Sequence, residues 1–186
     1  MSTIGHRPAS GRRAFLLGAA AALGGLAATP SQALPFLRRA DPSPPEQDPR
    51  GLVMINQRTE EVYNEIFFDG RAYLEEPLER FAQFARDLRT GETGEFDPHL
   101  LDLAAALQAR TGAETPLILT HGFRSSAQSV RRGAANSFHL HGRALDVAHP
   151  GMRARELHQH AAALGRGGLG RYPTFIHIDT GPTRRW

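Results

Sequence analysis

The chain has 186 residues and no cysteine, which suits one domain with a proper core but is short for two. Its formal net charge is +3, and residues 1–33 contain three arginines and no acid. Subtracting those three charges leaves the rest of the chain near zero. We therefore expect no nucleic-acid partner and no disulfide, and an oxidising compartment is compatible with this composition.

Residues 1–33 have the features of an export signal. Arg12 and Arg13 directly precede a short apolar run, and a small-x-small cleavage motif follows at 31–33. The paired arginines predict export by the twin-arginine route and a periplasmic location. The alternative is an uncleaved N-terminal anchor, although the apolar run is short for a membrane span. Residues 34–50 contain five prolines and are predicted to form an extended lead-in.

The next segment predicts an outlying β-hairpin and a helix. Residues 59–68 are strand-like and are followed by a turn dipeptide, Asp-Gly, at 69–70 and a second short strand at 71–73. Residues 75–90 carry apolar side chains at helical spacing, so they are predicted to form a helix that closes at Gly91.

A second helix is predicted from Asp97 as its N-cap and Pro98 as its first residue, with Gly112 beyond its end. Its buried face is predicted to contain Leu100, Leu101, Leu103, Ala104 and Leu107. Two helices therefore precede the strands that carry the candidate site.

The second half of the chain predicts strands joined by turns and one short helix. Residues 117–120 are predicted to form a central strand that delivers 121–124 to its end. The polar loop at 125–136 is predicted to be the lip of a substrate cleft. A helix at 153–164 and a strand at 174–178 complete the predicted elements.

The densest set of metal-ligand side chains lies at 137–146. His139 and Asp146 are seven residues apart, and Gly142 between them permits a sharp turn. The alternation after Gly142 predicts a short strand that carries Asp146 back towards His139. A third ligand is then needed, and His177 is the other histidine within a strand-like apolar run.

Less specific interpretations of the same histidines remain open at this point. His139 and Asp146 could form a polar turn stabilised by their own hydrogen bond. His177 could be a core histidine, although its side chain is predicted to face away from its two isoleucine neighbours. His141 could be a surplus ligand or a substrate contact, and we interpret it as a loop histidine.

Three ordered motifs resemble the zinc D-Ala-D-Ala carboxypeptidase and murein endopeptidase family, which shares its site with lysostaphin-type peptidases and hedgehog domains. They are Thr-x-Gly-Phe-Arg-Ser at 120–125, Ser-x-His-x-x-Gly-x-Ala-x-Asp at 137–146 and Phe-Ile-His-Ile-Asp-Thr-Gly at 175–181. The resemblance is greatest to the small, twin-arginine-exported murein endopeptidase K-like branch and covers about residues 50–186. It implies one zinc ion held by His139, Asp146 and His177.

The resemblance also implies roles for neighbouring residues. Arg124 is implied as a polar group near the substrate that stabilises an oxyanion or holds a carboxylate, with a structural ion pair as the alternative. Better-known relatives carry an acidic base three residues before the last histidine, where this chain has Thr174. Asp179 is the nearest acid, and it is either the base or the acceptor that holds the ring of His177 in its metal-binding tautomer.

We therefore expect an α+β domain at 51–186, like that of hedgehog and D-Ala-D-Ala peptidases. Its small antiparallel sheet is predicted from the runs at 117–120, 143–148 and 174–178, with helices packed on one face. A parallel βαβ fold is disfavoured because the chain has no nucleotide-type glycine signature.

The resemblance implies zinc-dependent hydrolysis of peptide bonds in peptidoglycan peptides, with the membrane contacted only through the signal segment during export. The alternative is a non-catalytic, zinc-containing domain that binds or organises the cell wall. The substitution of Thr174 for the usual acid is what supports that alternative.

Overall fold

A computed structural model describes residues 47–125 and 136–186. The predicted export signal at 1–33, most of the lead-in at 34–50 and most of the predicted cleft lip, residues 126–135, lie outside these ranges. The described part contains seven strands, three α-helices and one 3-10 helix. No helix in it is both long and apolar enough to cross a membrane.

The elements follow one another as β1 (Arg50–Asn56), β2 (Val62–Phe68), α1 (Glu75–Phe84), α2 (Pro98–Thr111), β3 (Leu117–His121), the 3-10 helix (Phe138–His141), β4 (Ala144–Ala148), α3 (Ala154–Ala162), β5 (Gly168–Arg171), β6 (Ile176–Asp179) and β7 (Arg184–Arg185).

The strands form one sheet in the order β2-β1-β3-β4-β6-β5-β7. The three strands predicted as antiparallel neighbours, β3, β4 and β6, do pair in that way. The prediction of a small, purely antiparallel sheet is wrong, however, because β1 pairs with β3 and β5 with β7 in parallel. Parallel neighbours need a long connection between them, and β2, α1 and α2 supply it for the first pair.

The predicted hairpin at 59–73 is wrong in its pairing. β2 pairs along its length with β1, where Ile55 lies opposite Val62, and Tyr73 makes an isolated bridge to Phe68. Because β1 also pairs with β3, the hairpin of β1 and β2 forms one edge of the seven-stranded sheet. It is not an outlying ribbon.

Side-chain hydrogen bonds explain where the turn lies. Asn56 Oδ1 accepts hydrogen bonds from the backbone N–H groups of Arg58 and Thr59, and so closes the chain between β1 and β2. The Asp69 carboxylate accepts from the N–H groups of Arg71 and Ala72. The Asp-Gly dipeptide therefore ends β2 in a turn that returns the chain for one antiparallel bridge only, before α1 begins.

Helix α1 ends at Phe84, short of its predicted end. The Ala85 carbonyl accepts a hydrogen bond from the Phe123 N–H, and the Asp87 carboxylate accepts one from the Ser125 N–H. These contacts hold the segment after α1 against the end of β3. Because they join residues far apart in the chain, helical periodicity gives no sign of them.

Helix α2 is as predicted: the Asp97 carboxylate accepts the His99 N–H, and Pro98 occupies the first turn. Its buried leucines join residues of α1, α3 and the strands in a single core. Alternation along β4 and β6 places successive side chains on opposite sides of the sheet. We call the side that carries Leu145, Val147, Ile176 and Ile178 the core face, and the side that carries Asp146, His177 and Asp179 the site face.

Candidate metal centre

A tight turn before β4 positions His139. The Ser137 hydroxyl accepts the His139 N–H at the start of the 3-10 helix. Gly142 then adopts a left-handed conformation with φ of 58°, and a Cβ atom there would overlap the carbonyl oxygen of Glu95. Only glycine meets both conditions. The turn returns Asp146 towards His139, as the sequence predicted.

His139, Asp146 and His177 meet over the site face. Asp146 on β4 lies directly opposite His177 on β6. The Oδ1 atom of Asp146 is 2.9 Å from Nδ1 of His177 and 3.3 Å from Nε2 of His139, and the two histidine nitrogens are 3.2 Å apart. All three residues are buried, and together they form a group that could hold a metal ion.

Neighbouring acceptors fix the tautomers of both histidines. Nδ1 of His139 lies 2.7 Å from the Gly122 carbonyl oxygen, so Nδ1 is the donor and Nε2 keeps its lone pair. Nε2 of His177 lies 2.9 Å from Oδ2 of Asp179, which leaves Nδ1 to face Asp146. Carboxylate and carbonyl partners of this kind orient histidine ligands in metal sites.

The spacing of these three atoms fits a metal ion. Zinc bonds of about 2.0–2.1 Å at tetrahedral angles place ligand atoms about 3.3 Å apart, close to the 2.9–3.3 Å observed. Three acceptors this close together repel one another unless they share a cation, which is either a proton or a metal. Two imidazole nitrogens and one carboxylate oxygen also match the ligand chemistry of zinc.

The environment sets where a proton would reside in the metal-free protein. Burial lowers the pKa of His139 below its ordinary value. Burial acts in the same direction on His177, but the carboxylates of Asp146 and Asp179 outweigh it and raise the pKa of His177. Burial alone would raise the pKa of Asp146, yet its contacts with His121, His139 and His177 hold it far below its usual range. His177 is therefore where a proton competes most with a metal.

The second oxygen of Asp146 is held by two residues at the end of β3. Oδ2 lies 2.9 Å from Nη2 of Arg124 and 3.2 Å from Nδ1 of His121. The structure thus places Arg124 in the ion pair that the sequence left as the alternative to a substrate contact. His121 also touches Asp146, a contact that its predicted position at the end of the strand at 117–120 did not specify.

Asp179 is fully buried and is surrounded by donors. Its Oδ1 accepts hydrogen bonds from the Gly168 and Gly181 N–H groups and from Arg184, and its Oδ2 accepts from Arg184 and from Nε2 of His177. Although burial opposes ionisation, these bonds hold the pKa of Asp179 well below its usual range. A carboxylate so engaged is suited to orienting His177 and poorly suited to accepting a proton.

Two glycines of β5 make room for side chains from β7 and the residue after it. A Cβ on Gly168 would overlap Arg184, and a Cβ on Gly170 would overlap the Trp186 indole. Both side chains therefore lie across the site face, where Arg184 pairs with Asp179 and Trp186 lies against His177. The sequence signal for this arrangement was glycine at every second position of a strand.

The remaining candidates lie at the edge of the site. His141 is exposed at the end of the 3-10 helix, and Thr174 is exposed in the connection between β5 and β6. Next to Thr174, the Phe175 ring contacts His121 with ring centroids 5.9 Å apart and stacks on Tyr172 at 4.6 Å. An aromatic edge thus borders the site beside His121.

Comparison with known proteins identifies related sequences. Residues 45–186 match the model of a peptidase family described as peptidoglycan L,D-endopeptidase MepK. A peptidoglycan L,D-endopeptidase MepK of Escherichia coli strain K12 is 37% identical over 146 residues, which cover 74% of this chain and 80% of the relative. A probable peptidoglycan L,D-endopeptidase MepK of Haemophilus influenzae is 34% identical over 149 residues, covering 74% and 79%.

Proposed function

The chain belongs to the M15-type peptidase family described as peptidoglycan L,D-endopeptidase MepK, as its three motifs predicted, and from this we propose that it hydrolyses peptide bonds in peptidoglycan peptides. The observation that carries the proposal is the meeting of three buried ligand atoms over the site face. Their tautomers and orientations are already set by outer partners.

The metal we propose is zinc, held by His139 Nε2, Asp146 Oδ1 and His177 Nδ1. Zinc in such a site activates water and polarises the scissile carbonyl as a Lewis acid. The protein's part is positional: Asp179 holds the ring of His177, and the Gly122 carbonyl holds that of His139.

Arg124 and His121 have a second positional role, because they direct Oδ2 of Asp146 away from the two histidine nitrogens. Asp146 is thereby disposed to bind the metal through one oxygen. The contact of Arg124 with an oxyanion or a peptide carboxylate stays a prediction. The Arg124 guanidinium is near enough to the candidate metal ligands to contact the substrate while it pairs with Asp146.

A non-catalytic wall-binding domain is the second candidate, and a specific observation supports it. Neither acidic-base position offers a free carboxylate: residue 174 is an exposed threonine, and Asp179 already accepts five hydrogen bonds. A domain that binds the metal but does not hydrolyse peptide bonds would also have this arrangement.

Release of new amino groups from purified cell wall distinguishes the two. For a zinc peptidase, we expect release by the purified domain, loss of release after chelation and recovery when zinc is added back. The variant His141→Ala is a matched control, since its histidine is exposed and outside the group, and it should remain active. Wall binding without any amine release at saturating zinc would favour the scaffold.

We also propose that the protein is exported to the periplasm by the twin-arginine route, on the basis of Arg12 and Arg13 before the apolar run. Replacing both arginines with lysine keeps the charge but should leave precursor in the cytoplasm. Cell fractionation measures the outcome, and normal periplasmic accumulation of the double variant would contradict this route.

A further inference from the structure

We propose that Trp186 is a substrate-contacting residue, whose indole binds the aliphatic side chain of the peptide residue next to the scissile bond. This inference rests on the proposed function, because it assigns a specificity determinant to the same site. It concerns a residue that the three sequence motifs do not include.

The indole is held rigidly beside the candidate metal group. The backbone of Trp186 hydrogen-bonds to Leu169 and Arg171 of β5, and the ring lies on Gly170, where any Cβ would collide with it. The centroids of the Trp186 and His177 rings are 5.3 Å apart. A ring fixed in this way loses little conformational entropy when it contacts a ligand.

Trp186 is nevertheless half exposed. Its relative exposure is 52%, against 2%, 2% and 8% for His139, Asp146 and His177. A peptide that brings its carbonyl to the buried group can therefore contact the indole, because the ring is exposed and lies next to His177. Large exposed aromatic rings beside a site are typical binding surfaces rather than core residues.

The charge around the indole selects an apolar partner. The Arg184 guanidinium lies 5.0 Å from the Trp186 ring, but it already forms two hydrogen bonds with the carboxylate of Asp179. The Trp186 ring therefore presents an aromatic surface beside an arginine, Arg184, whose charge is already paired with Asp179. Methyl or methylene groups of a peptide residue fit such a surface, whereas a carboxylate would find no unpaired cation on Arg184.

Replacement of the ring tests the assignment by steady-state kinetics on a soluble crosslinked peptidoglycan peptide. For Trp186→Ala, we expect KM to rise about tenfold, the usual effect of losing one apolar pocket contact, with kcat nearly unchanged and zinc content at wild-type level. Trp186→Phe keeps an aromatic surface, so most of the KM increase seen in Trp186→Ala should be absent from it. Ile66→Ala removes an exposed apolar side chain from the edge strand β2 and should leave KM unchanged.

Trp186 is the chain's single tryptophan, so its fluorescence gives a direct measurement of contact. Adding an uncrosslinked peptidoglycan peptide to the zinc-loaded wild-type protein should shift the emission in a saturable way. A wild-type KM in Trp186→Ala, or no emission change at saturating peptide, would overturn the inference. If Trp186→Ala also loses zinc, the titration of the wild-type protein and the Trp186→Phe kinetics decide.

The same experiment separates this inference from the proposed function. Cleavage of cell wall by the wild-type protein, combined with silent fluorescence, would refute only the role of Trp186. A saturable emission change without any cleavage would refute hydrolysis while the assignment of Trp186 as a peptide contact survives.

Discussion

The two faces of β4 and β6 are built from alternate residues of the same strands, yet they depend on opposite physical effects. On the core face, Leu145 and Ile178 lie opposite each other and are almost wholly buried among apolar side chains. On the site face, Asp146 lies opposite His177. One face is stabilised by removing apolar surface from water, and the other by hydrogen bonds that compensate the burial of charge.

This difference predicts that single substitutions on the two faces change different properties: fold stability on the core face and metal binding on the site face. A side chain on the core face should affect the free energy of unfolding and leave the ligand atoms in place. A side chain on the site face should affect metal affinity far more than the stability of the metal-free fold. Four substitutions or conditions, taken from the largest expected effect to the smallest, test this separation.

Removal of one ligand should have the largest effect. In His139→Ala, Asp146→Ala and His177→Ala, two protein ligands remain, and we expect zinc content to fall to a small fraction of one equivalent. Elemental analysis of protein dialysed against limiting zinc measures it. His141→Ala should keep full zinc, and full occupancy in any of the three ligand variants would remove that residue from the group.

Truncation on the core face should act on stability instead. Leu145→Ala leaves a cavity in a fully buried position and should lower the free energy of unfolding by about 2–5 kcal/mol. Denaturant titration of the metal-free protein measures this change. In a separate measurement without denaturant, the folded variant should still bind one equivalent of zinc. Ile66→Ala, which alters an exposed residue, should stay within about 0.5 kcal/mol. Loss of zinc from folded Leu145→Ala would show that the faces are coupled.

Asp179→Asn should weaken the site without removing a ligand. Every neighbour of the carboxylate is a donor, so the amide N–H₂ must face a donor in either orientation. We expect zinc affinity to fall about ten- to a hundredfold, with partial activity once zinc is saturating. Competition with a zinc indicator gives the affinity. Abolished turnover with zinc still tightly bound would instead identify Asp179 as the general base.

The pH dependence of zinc binding should show the smallest effect. Because Asp146 and Asp179 raise the pKa of His177 above 6.5 despite its burial, a proton must leave His177 when zinc binds. Affinity should therefore fall as the pH is lowered, beginning above pH 6.5 and approaching about tenfold per pH unit. Indicator competition between pH 6 and 8.5 measures it, and a flat profile would contradict the raised pKa.

For the metal-free fold, the same shift works in the other direction. Protonated His177 contributes stability that is fully present below its ordinary pKa of 6.5 and is lost as the pH rises through its raised folded value. Denaturant titration of the chelated protein across this range should show that loss.

The local part of the site could be predicted from sequence, because local rules determine it. The glycine at 142 and the alternation after it were sufficient to bring Asp146 back to His139. The alternation in β6 likewise predicted that the side chain of His177 points to the other side of the sheet from those of Ile176 and Ile178. The pairing of β1 could not be predicted in this way, since Asp69-Gly70 is a stronger hairpin signal than the charged turn after Asn56.

The outer contacts of the site required tertiary structure. Arg124 and His121 reach Asp146 through a bulged antiparallel pairing of β3 with β4, and Arg184 reaches Asp179 through the short parallel pairing of β7. Neither register follows from periodicity. The alternating glycines at 168 and 170 did contain the information, but their meaning depends on which side chains lie above them.

The cross-strand pairing of Asp146 with His177 also determines when the site comes into existence. A slip of β6 by one residue against β4 would turn His177 and Asp179 into the leucine and isoleucine layer and expose Ile176 and Ile178 to water. Such a misaligned sheet is penalised twice, so the correct alignment is enforced before any ion is present. A metal ion that binds there would consequently meet a preformed receptor, and little of its binding energy would be used to organise the chain.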